Sequence, residues 1–162
     1  MSTSIRPATE ADALDITGKG SYVLVLRLDE PRSIDVGKLG RVCFPAGVYL
    51  YFGSALNGLK GRIQRHLRRE KKVHWHIDHL TSLASIEDVW WIDDGRNWEC
   101  GWANRAAGLP RWNWSVAGFG SSDCRCNSHL HAFDSTSNLA SMRRQLQRVC
   151  GRRFKREATA SG

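Results

Sequence analysis

Four side chains suited to acid–base or phosphate chemistry follow one another along the chain. Tyr22 and Tyr51 are phenols, Arg62 carries a fixed positive charge, and Glu99 is a carboxylate. A phenol can pass a proton, a guanidinium can neutralise a phosphate, and a carboxylate can hold a hard divalent cation. Each also has an ordinary explanation, since strand tyrosines are commonly half-buried and most arginines are solvated. The combination in this order favours a reaction centre.

Glu99 occupies an unusual position for a charged residue. On a helix that begins near Asn97, its neighbours on the same face are Trp102, Ala103 and Ala106. A carboxylate on an apolar face needs an arginine, a metal ion or a proton as a partner, because burying an unpaired charge costs several kcal/mol. A salt bridge to Arg96 or Arg105, or an exposed helix edge, is the alternative to a functional role.

The segment HWHIDHL at 74–80 contains three histidines. With a helical period, His76 shares a face with Leu80, whereas His74 lies on another side. One interpretation is an amphipathic helix with a satisfied core histidine. The other places His74 or His76 beside Arg62, as a proton relay or a phosphate donor. A metal site made of both histidines would need strand-like alternation, which the helical period does not give.

A second group of potential ligands occurs in a glycine- and cysteine-rich loop: Asp123, Cys124, Cys126 and His129. The two cysteines and a histidine can supply three zinc ligands, with Cys100 or His76 as a fourth. The CxC spacing differs from the usual zinc knuckle. The favoured interpretation is a tight turn in which Asp123 caps the backbone and the cysteines pack as small apolar side chains.

The positive charge of the chain is concentrated in two segments. Lysine and arginine number 24 against 16 acids, a net charge of +8. Segments 60–72 and 143–157 each carry seven bases and one acid, so the remaining residues are mildly acidic. This distribution predicts an extended anionic partner, with nucleic acid the first candidate and an anionic membrane surface the second.

The sequence also predicts the setting of the protein. It has no long apolar run and no secretory signal at the N-terminus, so we expect it to be neither membrane-spanning nor secreted. Five cysteines, an odd number, fit a reducing, cytoplasmic compartment. We expect one domain over 18–150, a flexible end at 1–17 and a flexible basic tail at 151–162.

Apolar periodicity predicts strands that alternate with helices. The expected strands are 21–28, 48–55 and 86–92 with a hairpin at 33–44, and the expected helices are 57–70, 74–84, 97–107 and 138–149. This order fits a small α+β, or three-layer α/β/α, domain.

Helix 57–70 is the clearest of the predicted elements. Asn57 is the expected N-cap, and the expected buried stripe consists of Leu56, Leu59, Ile63 and Leu67. Three arginines, Arg62, Arg65 and Arg69, fall on one flank, with His66 between that flank and the apolar stripe.

These motifs together resemble the GIY-YIG nuclease superfamily. The first element reads Gly20-Ser21-Tyr22 and the second Tyr51-Phe52-Gly53, so serine and phenylalanine replace the two isoleucines. The stretch YFGSALNGLKGRIQRHL is similar to the strand, loop and first helix of that superfamily. More narrowly, YLYFGSA, HWHIDHL and GSSDCRCNSHL resemble an uncharacterised prokaryotic subfamily that is sometimes fused to base-excision endonucleases.

The resemblance implies a mostly antiparallel sheet flanked by helices. It also implies the activity of a metal-dependent DNA endonuclease that acts in DNA repair or processing. The implied catalytic residues are Tyr22, Tyr51, Arg62, His66 and His76. Glu99 would bind one Mg²⁺ or Mn²⁺ ion, and the DNA-binding residues would be Arg65, Arg69, Lys72 and His74. The cysteine loop is a signature of the subfamily, with structural zinc or substrate contact both open. The alternatives are an inactive nucleic-acid-binding module of the same fold and a zinc-stabilised interaction domain.

Overall fold

The computed structural model describes residues 15–109, 112–122, 124–133 and 138–159. The helices are α1 (Leu59–Leu67), α2 (His76–Thr81), α3 (Glu99–Ala107) and α4 (Leu139–Cys150). The strands are β1 (Gly20–Leu28), β2 (Arg32–Asp35), β3 (Arg41–Phe44), β4 (Gly47–Ala55), β5 (Ser85–Ile92), β6 (Trp112–Ser115), β7 (Leu130–Phe133) and β8 (Lys155–Ala158).

Six of the strands form one antiparallel sheet in the order β6-β7-β4-β1-β5-β8, and β2 and β3 form a separate hairpin. The long strands β1 and β4 lie at its centre, where their β-branched and aromatic residues are buried. Their register places Tyr22 opposite Gly53. The predicted main strands and the hairpin are confirmed to within one or two residues.

Successive side chains along the strands point to opposite faces of the sheet and belong to two separate hydrophobic cores. Tyr22 and Tyr51 lie on the face that packs against α1, α2 and the hairpin. Val23 and Phe52 lie on the other face, beneath α3 and α4. The protein therefore has the predicted α+β fold, in which an antiparallel sheet lies between helical layers.

Helix α1 begins later than its sequence pattern predicted. Gly58, with φ 134°, precedes the helix, and Leu59 donates its backbone N–H to Gly18 O at 2.9 Å. Asn57 is therefore not the N-cap. Leu56, expected in the buried stripe, is 46% exposed because it lies in the turn before the helix. His66 takes a buried position on the inner side of the helix instead.

The C-terminal end of α1 is held by a lysine. The ammonium group of Lys71 donates to the carbonyl oxygens of Arg65, His66 and Arg68 at 2.8–3.1 Å. Such bonds satisfy carbonyls that the helix leaves free, and a cation is favourable at this end of the helix dipole. Burial lowers the pKa of Lys71 to about 8.

Both chain ends depart from the sequence prediction. Ile16, expected in a flexible end, is buried in the core, while 1–14 lie outside the described residues. Within the expected tail, residues 155–158 form β8 against β5, and Arg156 pairs with Asp88 at 2.7 Å. A flexible tail is therefore wrong for these residues. In the part of the chain that is described, no helix has the length and apolar character needed to cross a membrane.

Candidate functional site

Gly53 makes room for Tyr22 at the centre of the sheet. A Cβ atom at position 53 would lie 2.4 Å from Cζ and 2.5 Å from the hydroxyl oxygen of Tyr22. No side chain atom fits at that distance, so glycine is required here for the phenol to lie flat across the neighbouring strand. Glycine is also required at position 20, the first residue of β1, because a Cβ there would lie 1.9 Å from the backbone oxygen of Ile92 on the neighbouring strand.

The Tyr22 hydroxyl forms a hydrogen bond of 2.6 Å with Nε2 of His66. Both side chains are buried. Burial raises the pKa of Tyr22, against the opposing effect of the Arg62 guanidinium. Burial, with the charges of Lys71, Arg62 and Arg65, holds the pKa of His66 well below its ordinary value. The phenol and the imidazole are therefore both neutral near pH 7, and the phenol is the donor when Nδ1 carries the imidazole hydrogen.

Tyr51 lies beside this pair. Its ring centroid is 6.1 Å from that of His66 and 6.3 Å from that of Phe119, which comes from the loop between β6 and β7. Burial raises the pKa of Tyr51 well above its ordinary value, and the negative charge of Glu99 adds to this effect. The two tyrosines and His66 thus converge on one face of the sheet.

Arg62 is held in place by its neighbours on two elements. Its Nη1 donates to Ser54 O at 3.1 Å, and its guanidinium lies 4.3 Å from the ring centroid of Trp75. A guanidinium over an indole ring gains cation–π attraction. Arg62 is only partly buried and acts electrostatically on Tyr22 and His66. Its positive charge therefore acts on both members of the pair.

Arg65 has a structural role that the sequence did not predict. It lies 4.6 Å from the Trp75 ring centroid and pairs with the buried carboxylate of Asp78 at 2.7 Å. The same oxygen of Asp78 accepts the backbone N–H groups of His74 and Trp75 at 2.8 and 2.9 Å. These bonds fix the segment before α2, so Arg65 helps to stabilise the fold.

The remaining predicted DNA-binding residues are exposed: Arg69, Lys72 and His74. Lys72 and His74 line a recess of about 400 Å³ together with Arg65, Arg68 and Lys71. Among the described residues, Glu70 is the only acid that lines it. This side of the protein is a concave, strongly basic surface next to α1.

His76 joins α2 to the loop between β6 and β7. Its Nδ1 accepts the backbone N–H of Gly120 at 3.0 Å, and its ring packs against Phe119. A Cβ at Gly120 would lie 3.1 Å from the Tyr51 ring. His76 thus contacts the loop that packs on Tyr51.

Glu99, the first residue of α3, is partly accessible, with 23% of its side chain exposed. Its Oε1 accepts from Asn97 Nδ2 at 3.0 Å, and its Oε2 lies 3.8 Å from Nδ1 of His129. Arg105, one of the partners that the sequence suggested, donates to Gln145 instead. Glu99 is close enough to raise the pKa of both Tyr22 and Tyr51.

A Cys3His cluster lies directly beside Glu99 and could hold a metal ion: Cys100, Cys124, Cys126 and His129. One ligand atom from each residue lies within 4.8 Å of the others. Of the two suggested fourth ligands, the structure brings Cys100 to the group and leaves His76 on Gly120. Asp123 lies outside the described residues.

Fold and site define a small α+β domain with a buried tyrosine–histidine pair, a neighbouring arginine and a cluster of soft metal ligands. The chain matches the family model described as a domain of unknown function, DUF123, over residues 21–152, and it belongs to that family. No curated protein and no solved structure matches the chain.

Sequence reasoning overlooked two residues that position the site, Trp75 and Asp78. Trp75 underlies both Arg62 and Arg65, and Asp78 holds Arg65. Both occur within the HWHIDHL segment, in which the histidines are the residues whose type indicates acid–base or metal chemistry. Their signal is a tryptophan with an acid three residues later, the spacing of a helix N-terminal cap.

Proposed function

We propose that the protein is a divalent-metal-dependent endonuclease that hydrolyses phosphodiester bonds in DNA. The observation that carries this proposal is the hydrogen bond between the buried Tyr22 hydroxyl and His66 Nε2, with Arg62 beside it. A phenol in contact with a neutral imidazole and a fixed cation has the parts needed to deprotonate water next to a phosphate.

The proton path runs through the hydrogen bond. As the water oxygen bonds to phosphorus, the water gives its proton to Tyr22, and Tyr22 passes its own proton to His66 Nε2. The phenol stays neutral, which suits a group whose pKa burial raises. The phosphorus–oxygen bond to the leaving group breaks on the opposite side of phosphorus, and the leaving oxygen takes a proton from solvent. His66 then returns its proton to solvent through Tyr22, which restores the neutral pair.

Substrate binding makes His66 a better base. Burial and three nearby cations oppose its protonation in the free protein. A phosphodiester bound at Arg62 brings negative charge, which offsets these cations and favours the imidazolium. The relay is thus coupled to the presence of DNA.

Arg62 supplies electrostatic stabilisation of the transition state. Its guanidinium is fixed by Ser54 O and the Trp75 ring, so little reorganisation is needed when charge builds on the phosphate. Removing one such preorganised group typically lowers the rate about 10²- to 10³-fold.

Glu99 fits a single Mg²⁺ or Mn²⁺ ion, since it offers a partly exposed hard oxygen near both tyrosines. Mg²⁺ commonly takes one or two carboxylates, with water and phosphate oxygens completing the octahedron. When bound, the ion would supply Lewis-acid stabilisation of charge on the phosphate and the leaving oxygen.

The basic recess beside α1 supports DNA as the substrate. The exposed residues Arg69, Lys72 and His74 can contact phosphates that flank the scissile bond, whereas Arg65 is occupied by Asp78. Such contacts give affinity without sequence preference and make binding sensitive to salt.

Metal dependence tests the proposal. Labelled single-stranded and duplex DNA are incubated with the protein in Mg²⁺, Mn²⁺ or EDTA, beside Glu99→Gln. We expect cleavage in either metal, none in EDTA and a large loss in the variant. DNA binding without cleavage in any metal would contradict the enzyme and leave the alternative, an inactive nucleic-acid-binding module of the same fold.

A further inference from the structure

We infer that a structural zinc ion is bound by the Cys3His cluster: Cys100, Cys124, Cys126 and His129. Their ligand atoms lie within 4.8 Å of one another, although Cys100 is 24 residues from Cys124 in sequence. His129 Nε2 is 3.4 Å from Cys124 Sγ and 3.7 Å from Cys100 Sγ. Tetrahedral zinc, with Zn–S near 2.3 Å and Zn–N near 2.0 Å, separates sulfur and nitrogen ligands by about 3.5 Å.

The ligand chemistry selects zinc over the ion proposed at Glu99. Three thiolates and an imidazole are soft or borderline ligands, whereas Mg²⁺ and Mn²⁺ prefer oxygen. Four protein ligands close the coordination shell, which is typical of a structural zinc rather than a catalytic one. On binding, three thiols release their protons to solvent, and the centre carries a net charge of −1.

The surroundings of His129 support the same inference independently. The side chain is 2% exposed, and its Nδ1 has no hydrogen-bond partner among the described residues. With Nε2 on zinc, Nδ1 carries the hydrogen and faces Oε2 of Glu99 at 3.8 Å. Ligating histidines commonly present this second nitrogen to a carboxylate, which orients the ring.

The ion would fasten two parts of the site together. Cys100 is the second residue of α3 and follows Glu99, while Cys124 and Cys126 belong to the loop between β6 and β7. The same loop packs on Tyr51 through Phe119 and receives His76 at Gly120 N. Zinc would therefore hold Glu99 in a fixed relation to the tyrosine face of the sheet.

Metal analysis of the purified full chain tests this inference independently of nuclease activity. Protein prepared in reductant without added metal, and passed through EDTA and a desalting column, should retain one zinc per chain. Cys124→Ser and Cys126→Ser should lose it, whereas Cys43→Ser, at an exposed cysteine outside the cluster, should retain it. Absence of zinc, or zinc unchanged in both cluster variants, would overturn the site.

Cobalt substitution keeps the test valid if a cluster variant fails to fold. Wild-type protein stripped of metal and given one equivalent of Co²⁺ should show the visible bands of tetrahedral cobalt and a thiolate charge-transfer band. Octahedral cobalt without the thiolate band would overturn the assignment, as would a disulfide between cluster cysteines found by mass spectrometry.

Glu99→Ala should weaken zinc affinity about 10- to 100-fold. Unchanged affinity would overturn the role of Glu99 in orienting His129.

Discussion

The ring of Tyr22 lies against the backbone of Gly53, so that a Cβ at position 53 would come within 2.4 Å of Cζ. The close packing positions the phenolic oxygen to form its hydrogen bond with His66 of α1. The glycine of the second motif thus makes room for the tyrosine of the first, so the two strands together fix the position of this tyrosine.

Gly53→Ala should displace the Tyr22 ring and separate its hydroxyl from His66. We expect stability to fall by about 1–3 kcal/mol from overpacking and DNA cleavage to be largely lost. Urea unfolding and a cleavage assay measure the two effects. Gly61→Ala is the matched control, because a Cβ there meets nothing within 4 Å and the residue lies in α1. The free energy of unfolding of that variant should rise by about 0.5–1 kcal/mol, and its cleavage activity should be unchanged.

Tyr22→Phe removes the proton path while keeping the ring. Cleavage should fall about 10²-fold or more, the contribution typical of a positioned acid–base group, with a stability loss of about 1–2 kcal/mol. Tyr49→Phe is the control, since its hydroxyl donates to Pro45 O on another part of the same face. Equal activity in the two variants would show that the Tyr22 hydroxyl takes no part in the reaction.

Asp78→Ala should destabilise the protein by about 3 kcal/mol, because it leaves three hydrogen-bond donors without their acceptor and frees Arg65. The measurement is the free energy of unfolding in urea. Glu70→Ala, at an exposed acid nearby, should change it by less than about 0.5 kcal/mol. A small effect of Asp78→Ala would mean that the segment before α2 does not depend on this carboxylate.

The lowered pKa of His66 predicts a specific pH dependence of stability. Its pKa is lowered in the folded state, so the unfolded chain binds more protons once the pH falls below about 6.5, and folding is then disfavoured by up to about 1.4 kcal/mol per pH unit. Between about pH 7 and pH 5, His66→Gln should therefore lose stability less steeply than the wild type. A wild-type slope in His66→Gln would contradict the lowered pKa of His66.

The sequence predicted the parts of the fold that depend on local pattern. Two-residue alternation gave β1 and β4, and the helix predicted over 138–149 is observed as α4 (Leu139–Cys150). The structure adds that Asn138 caps this helix, because its side chain accepts from Ser141 N at 3.1 Å. Asn57 failed as a cap because Gly58 redirects the chain and Gly18 accepts the first N–H of α1. Strand β8 was not predicted, since its basic, exposed residues carry no apolar alternation and pair only because β5 offers an edge.

The site was predictable in its members more than in their connections. Tyr22, Tyr51, His66 and Arg62 follow from motifs, and the structure brings them together. The Cys3His cluster depends on how a loop returns to the start of α3, which spacing alone does not reveal. The binding of Arg65 by Asp78 is likewise a tertiary contact, which spacing alone does not reveal.

Cleavage of labelled DNA in Mg²⁺ by Arg62→Ala, compared with Arg144→Ala, tests the central claim most directly. Both changes remove one arginine from a helix, but Arg144 is an exposed residue of α4, on the opposite side of the sheet from α1. The account predicts a loss of about 10²- to 10³-fold for Arg62→Ala and near wild-type cleavage for Arg144→Ala. Equal rates for the two folded variants, or no cleavage by the wild type, would contradict it.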